Sequence, residues 1–257
     1  MVERRNARRS CALALKDKKT MKRFFLALLL VIFPFFSSGV FVSASAHATP
    51  VTYSILVVIA EHYHLPEGGT VYLDDASRAI ALETANALDT RILEYSDGAA
   101  DMVVTVRTIE SIEAWQYNEA TGLAGAFINP LHVRSAISDA SEYDFIAVIS
   151  DSDATSAVWQ SDTLGATPEI DGTGFWVAAV PDAPNIAIHE LAHIFELRFS
   201  AQGYTGLPQC GDSYGSGIHC AEEYGYSSNN DPCWLDDYYS ADLPDGTGLN
   251  HTVWNVS

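Results

Sequence analysis

Two histidines four residues apart, His189 and His193, sit in a stretch whose neighbours Ile186-Ala187-Ile188, Leu191-Ala192 and Ile194-Phe195 are all apolar. Asp182 and Pro184 precede this stretch and Gly203 follows it, the order of residues that starts and stops a helix, so a helix is predicted from about Ala183 to Phe199. Side chains four apart on a helix lie one above the other. The two imidazoles therefore share a face, and Glu190, rotated by one residue, stands beside them. An apolar helix must be covered by other elements, yet burying two imidazoles and a carboxylate without partners is costly. A divalent ion resolves the conflict: neutral imidazoles ligate it, and a carboxylate one residue along can take a proton from water bound to it. His189 and His193 are accordingly candidate metal ligands and Glu190 a candidate general base.

The segments that can cover such a helix are legible upstream. Tyr53–Ala60 is a continuous apolar run rich in β-branched residues, and Phe145–Ser150 is a second, both of the kind that forms buried strands. Met102–Val106 reads as a third strand, and Gly174–Val180, bounded by Gly172 and Pro181, as a fourth suited to a sheet edge. Asp74-Asp75 can cap a helix running to about Leu93, with Ala81, Ala85, Leu88 and Ile92 on one stripe. Helical spacing of Ile109, Ile112 and Trp115 predicts a short helix over Ile109–Tyr117, and another is placed near Leu131–Ser138. Strands alternating with helices indicate an α/β (α+β) chain with a sheet covered on at least one face. Residues 203–257 are rich in Gly, Tyr, Asp and Asn without a clear period, so an irregular tail is expected there.

Charge divides the chain in two. Residues 1–48 carry nine of the fourteen Lys and Arg, whereas 49–257 hold five arginines, no lysine and thirty-one acids, a net charge of −26. A field of that sign repels nucleic acid and anionic membranes. Lys22-Arg23, nineteen uncharged residues from Phe24 to Val42, and the small-residue sequence Ala44-Ser45-Ala46-His47-Ala48 read together as a secretory signal peptide, cleaved after Ala48. The expectation is a secreted product with one domain over 49–257, monomeric, and without stable membrane association once the signal is removed.

From about Gly174 to Phe199 the residues resemble the zincin metallopeptidases. The resemblance implies a mixed sheet, an edge strand that aligns the substrate, and an active-site helix whose His189 and His193 hold zinc while Glu190 acts as general base. The metzincin branch requires Gly and His where this chain has Glu196 and Phe199, so that branch is excluded. A third ligand must then come from the tail. His219 completes a His₃ set with an open fourth position. Glu222 or Glu223 would serve as in the gluzincins, and His251 and Cys220 are further choices. Glu196 lies on the face of the two histidines and can accept from a metal-bound imidazole, or can pair with Arg198. The pattern of Glu196, a later His beside Tyr224-Gly225-Tyr226, then Trp234 and Asp237-Tyr238, is also similar to secreted bacterial zincin-like proteins of unassigned substrate.

In peptide hydrolysis on zinc a hydroxyl or imidazole donor commonly assists the oxyanion, and among Tyr224, Tyr226, Tyr238 and Tyr239 the choice is Tyr238. Three of the four cysteines fall in the tail. In an oxidising compartment Cys210–Cys233 or Cys210–Cys220 would pin the segment bearing the third ligand. Asp151-Ser152-Asp153 and Asn229-Asn230-Asp231 offer oxygens to calcium, without the loop pattern calcium sites use. The expected activity is zinc-dependent endopeptidase on a protein or peptide substrate. A zinc amidohydrolase acting on a non-peptide amide and a non-catalytic domain stapled by zinc are the alternatives.

Overall fold

Strand β1 (Val51–Ala60) is hydrogen-bonded along both edges, and its residues from Ile55 to Ala60 are buried on both faces. This is the arrangement that a run of Ile, Leu and Val without alternation demands, because a parallel strand covered on two sides has no solvent face to fill with polar groups. The computed structural model describes residues 49–64, 68–113, 115–116, 126–128, 130–151, 165–166, 173–211, 217–249 and 254, all within one unit, Thr49–Ser257. The expected signal peptide, Ser152-Asp153 and His251 lie outside the described residues.

After β1 come the short strands β2 (His62–His64) and β3 (Thr70–Tyr72), then helix α1 (Asp75–Tyr95). Asp74 caps α1 through its side chain, which accepts from the Ser77 N–H at 2.7 Å, and Ala81, Ala85, Leu88 and Ile92 are all buried. Strand β4 (Ala100–Ile109) pairs with β1 over its whole length, Val51 opposite Ala100 and Ala60 opposite Ile109. It is longer at both ends than the predicted Met102–Val106. The helix expected over Ile109–Tyr117 is not formed. Ile109 ends β4, and Ile112–Glu113 (β5) and Trp115–Gln116 (β6) are strands, with Ile112 opposite Tyr63 of β2 and Trp115 opposite Phe127 of β7 (Ala126–Phe127). A helix of nine residues gains little on its own, so strand pairing decides the outcome.

Helix α2 (Pro130–Ala136) leads into β8 (Phe145–Ser150), then β9 (Gly165–Ala166) and β10 (Gly174–Ala178). The sheet runs β4-β1-β8-β10-β9, four strands parallel and β9 antiparallel. Strand β10, expected at the edge, is therefore one place in from it, and β9 is outermost among the described residues. On one face, Leu56, Val58, Ile146, Val148 and Trp176 form a core with Val133 of α2. On the other, Tyr53 and Phe145 meet Phe195 of helix α3 (Ala183–Ala201), and α1 packs against α3. The result is a mixed α/β fold with helices on both faces. No helix among the described residues is long and apolar enough to cross a membrane.

The tail is more ordered than its composition predicts. Gly217–Cys220 forms a 3₁₀ turn, and Pro232–Ser240 is a helix, α4. Asp231 caps α4 by accepting from the Cys233 N–H at 2.9 Å, Pro232 occupies its first turn, and Ala241 closes it at φ 55°. Trp234, Leu235, Tyr238 and Tyr239 make one fully buried stripe. Aromatics are indifferent helix formers, so packing against α3 decides this helix.

Candidate metal centre

The three imidazoles come from two elements. Helix α3 carries His189 and His193 one turn apart, with ring centroids 4.9 Å from each other. The 3₁₀ turn brings His219 to 5.0 Å from the first ring and 4.8 Å from the second. One nitrogen from each ring falls within 4.8 Å of the others. Which nitrogens these are follows from the partners of the rest. His189 Nδ1 lies 3.2 Å from the Asn229 carbonyl oxygen, His193 Nδ1 3.3 Å from Glu196 Oε2, and His219 Nδ1 3.3 Å from the Asn229 side-chain amide. Each Nδ1 is engaged outward, which leaves the three Nε2 atoms to converge.

Two of them, on His193 and His219, are 3.1 Å apart. Two nitrogens on a tetrahedral zinc with Zn–N of about 2.05 Å would be about 3.3 Å apart, so the spacing fits such an ion. The protonation of His189 fits as well. Burial holds His189 well below the usual imidazole range, and the adjoining His193 and His219 push it further the same way. A metal ligand must be neutral imidazole, and this environment favours that form. Glu190 is likewise buried, 7% exposed, one residue along the helix from His189.

The tail is fastened around this cluster by specific contacts. A disulfide joins Cys210 to Cys220. It is one of the two pairings considered for Cys210, and it consumes the sulfur that made Cys220 a candidate ligand. The Trp234 indole N–H donates to the Ile218 carbonyl at 2.8 Å, and the Tyr239 hydroxyl to the Ile188 carbonyl, just before His189, at 2.8 Å. Of the alternative third ligands, Glu222 and Glu223 are exposed, and Glu223 accepts from the Gly211 N–H at 2.7 Å. Tyr238 is fully buried, and its hydroxyl donates to Glu196. Burial, reinforced by the Glu196 charge, raises its pKa well above the phenol range, so it remains a donor. The structure thus places this hydroxyl behind the imidazoles, on a carboxylate.

Asn229 and Asp231, considered above for calcium, have other work. Asn229 faces two of the three histidines, and Asp231 caps α4 while also accepting from the Ser227 hydroxyl at 2.6 Å. Arg198, the alternative partner of Glu196, lies over the Tyr53 ring at 5.4 Å. The places of Asn229, Gly217 and Ile218 around the histidines escaped prediction, because a backbone carbonyl or a tight turn has no side-chain signature in the sequence. The chain matches no protein-family model and no curated protein.

Proposed function

We propose that the chain is a secreted, zinc-dependent endopeptidase of zincin type, with His189, His193 and His219 as zinc ligands and Glu190 as general base. The observation that carries this reading is the convergence of one nitrogen from each of three imidazoles beside a buried glutamate, built from a helix and a turn whose His193 and His219 are 26 residues apart along the chain. Zinc held there would supply Lewis acidity, lowering the pKa of a water and polarising a carbonyl. Glu190 then accepts the proton of the attacking water and returns it to the leaving amine. Burial keeps this carboxylate in a site with little competing water.

The sheet supports a peptide substrate. Among the described residues β9 is antiparallel, outermost, and packs beside α3, so an extended peptide adding to that edge would run beside the helix that carries His189 and His193, as the zincin resemblance implies. A structural zinc staple would need a fourth donor from the chain. Among the described residues the cluster holds three, since Cys220 is in a disulfide and Glu223 is bound to Gly211. The test is Glu190→Gln. It is expected to keep zinc at the wild-type stoichiometry and to lose at least about a thousandfold in cleavage of a peptide library. Wild-type turnover in this variant refutes the role of Glu190. A library left intact while N-acyl sugars or cell-wall amides are hydrolysed moves the reading to the amidohydrolase alternative.

A further inference from the structure

We infer that Glu196 is a positioning residue that orients two of the three histidines at once, His193 directly and His219 through the Ile218 backbone. The inference rests on the proposed zinc site and goes beyond it, because the ligands themselves do not require a shared partner. Glu196 follows His193 by three residues on α3, and its side chain is 14% exposed. Its two oxygens serve different elements. Oε2 lies 3.3 Å from His193 Nδ1. Oε1 accepts from the Ile218 backbone N–H at 2.6 Å and from the Tyr238 hydroxyl.

The Ile218 contact matters because His219 is the next residue. With its N–H on Glu196 and its carbonyl on Trp234, Ile218 is held at both ends, and the direction in which His219 leaves the turn is set. Gly217 makes this approach possible. A Cβ there would sit 2.7 Å from the Glu196 carboxyl carbon, and its φ of +76° is one that favours glycine. Toward His193, a carboxylate can only accept, so it keeps the proton on Nδ1 and the lone pair of Nε2 turned inward.

The conservative variant Glu196→Gln separates positioning from simple adhesion. Its carbonyl oxygen still accepts from Ile218 and Tyr238, but its NH₂ then faces His193 Nδ1–H, donor against donor. The expected result is a fall in zinc affinity of about 10–100-fold by competition with a chelating dye. An altered Co²⁺ absorption spectrum should accompany it, with the melting temperature of the metal-free protein within about 2 °C of wild type. Unchanged affinity and spectrum overturn the inference. So does a lower metal-free melting temperature with wild-type affinity, the signature of a merely structural glutamate. Should Glu196→Gln fail to fold, Tyr238→Phe strips one donor from Oε1, and affinity is expected to fall by about threefold or more; wild-type affinity there overturns the inference too. The readout is binding, so a wild-type chain that takes zinc and cleaves nothing refutes the peptidase reading alone, whereas one that takes no zinc refutes both.

Discussion

Replacing Cys210 and Cys220 together by serine tests what holds the third histidine. The bridge spans a sequence separation of 10, so it closes a loop of about 11 residues in the unfolded chain. In the loop-entropy account that constraint is worth about 2.8 kcal/mol at 25 °C. For a domain of this size each kcal/mol moves the melting temperature by about 2–4 °C, so the double variant should melt about 6–11 °C lower by calorimetry. Zinc affinity should respond far less. Ile218 stays tied to Glu196 and Trp234, and Gly217 still donates to the Pro208 carbonyl at 2.9 Å, so His219 keeps its direction without the bridge. A loss below about tenfold in zinc affinity is expected, because the hydrogen bonds that aim the ring survive. Two results would refute the reasoning: a melting temperature within about 2 °C of wild type, which denies the constraint, or a hundredfold loss of zinc, which makes the disulfide and not Glu196 the anchor of the turn.

Trp234→Phe removes the indole N–H and leaves the buried Ile218 carbonyl without that donor. Stability to urea should drop by about 1–3 kcal/mol together with some zinc affinity, and a change under about 0.5 kcal/mol would deny the contact its importance. Acidification should destabilise the metal-free protein through His189, whose folded pKa is depressed. The unfolded chain protonates this residue first, so stability is fully present above about pH 6.5 and falls by up to about 1.4 kcal/mol per pH unit as pH drops toward the folded pKa. Urea titrations of chelator-treated protein between about pH 7.5 and 5 should show that slope diminished in His189→Asn; equal slopes would refute the assignment.

Much of the fold was legible because the informative signals were local. The FIAVIS run forms β8 with the predicted bounds, since six buried residues between polar flanks leave no other period to satisfy. The α1 stripe and its Asp74 cap were readable for the same reason, propensity and pattern agreeing. Ile109, Ile112 and Trp115 misled because three apolar residues at helical spacing also fit two short strands, and the choice was made by Tyr63 and Phe127, which are remote in sequence. Helix α4 was invisible for a complementary reason. Its WLDDYYS core has modest helix propensity, and what stabilises it is contact with the Ile188 and Ile218 carbonyls, 51 and 16 residues away from their donors.

The site divides along the same line. His189, Glu190 and His193 could be read from one helical turn, where covalent spacing fixes geometry. The third donor could not, because His219, Glu222 and Glu223 lie within five residues and any of them is reachable by a flexible tail. What selects His219 is the order in which the chain is fastened: Gly217 lets the backbone approach the helix, Ile218 is held between Glu196 and Trp234, and Cys220 is tied to Cys210. The single residue between the last two anchors is the one turned toward the imidazoles. Glu222 and Glu223, beyond the anchors, face solvent. A third ligand assigned from spacing alone is therefore a statement about reach, and the stronger signal lay on the helix itself, in a glutamate three residues after His193 with no lysine anywhere in residues 49–257 to neutralise it.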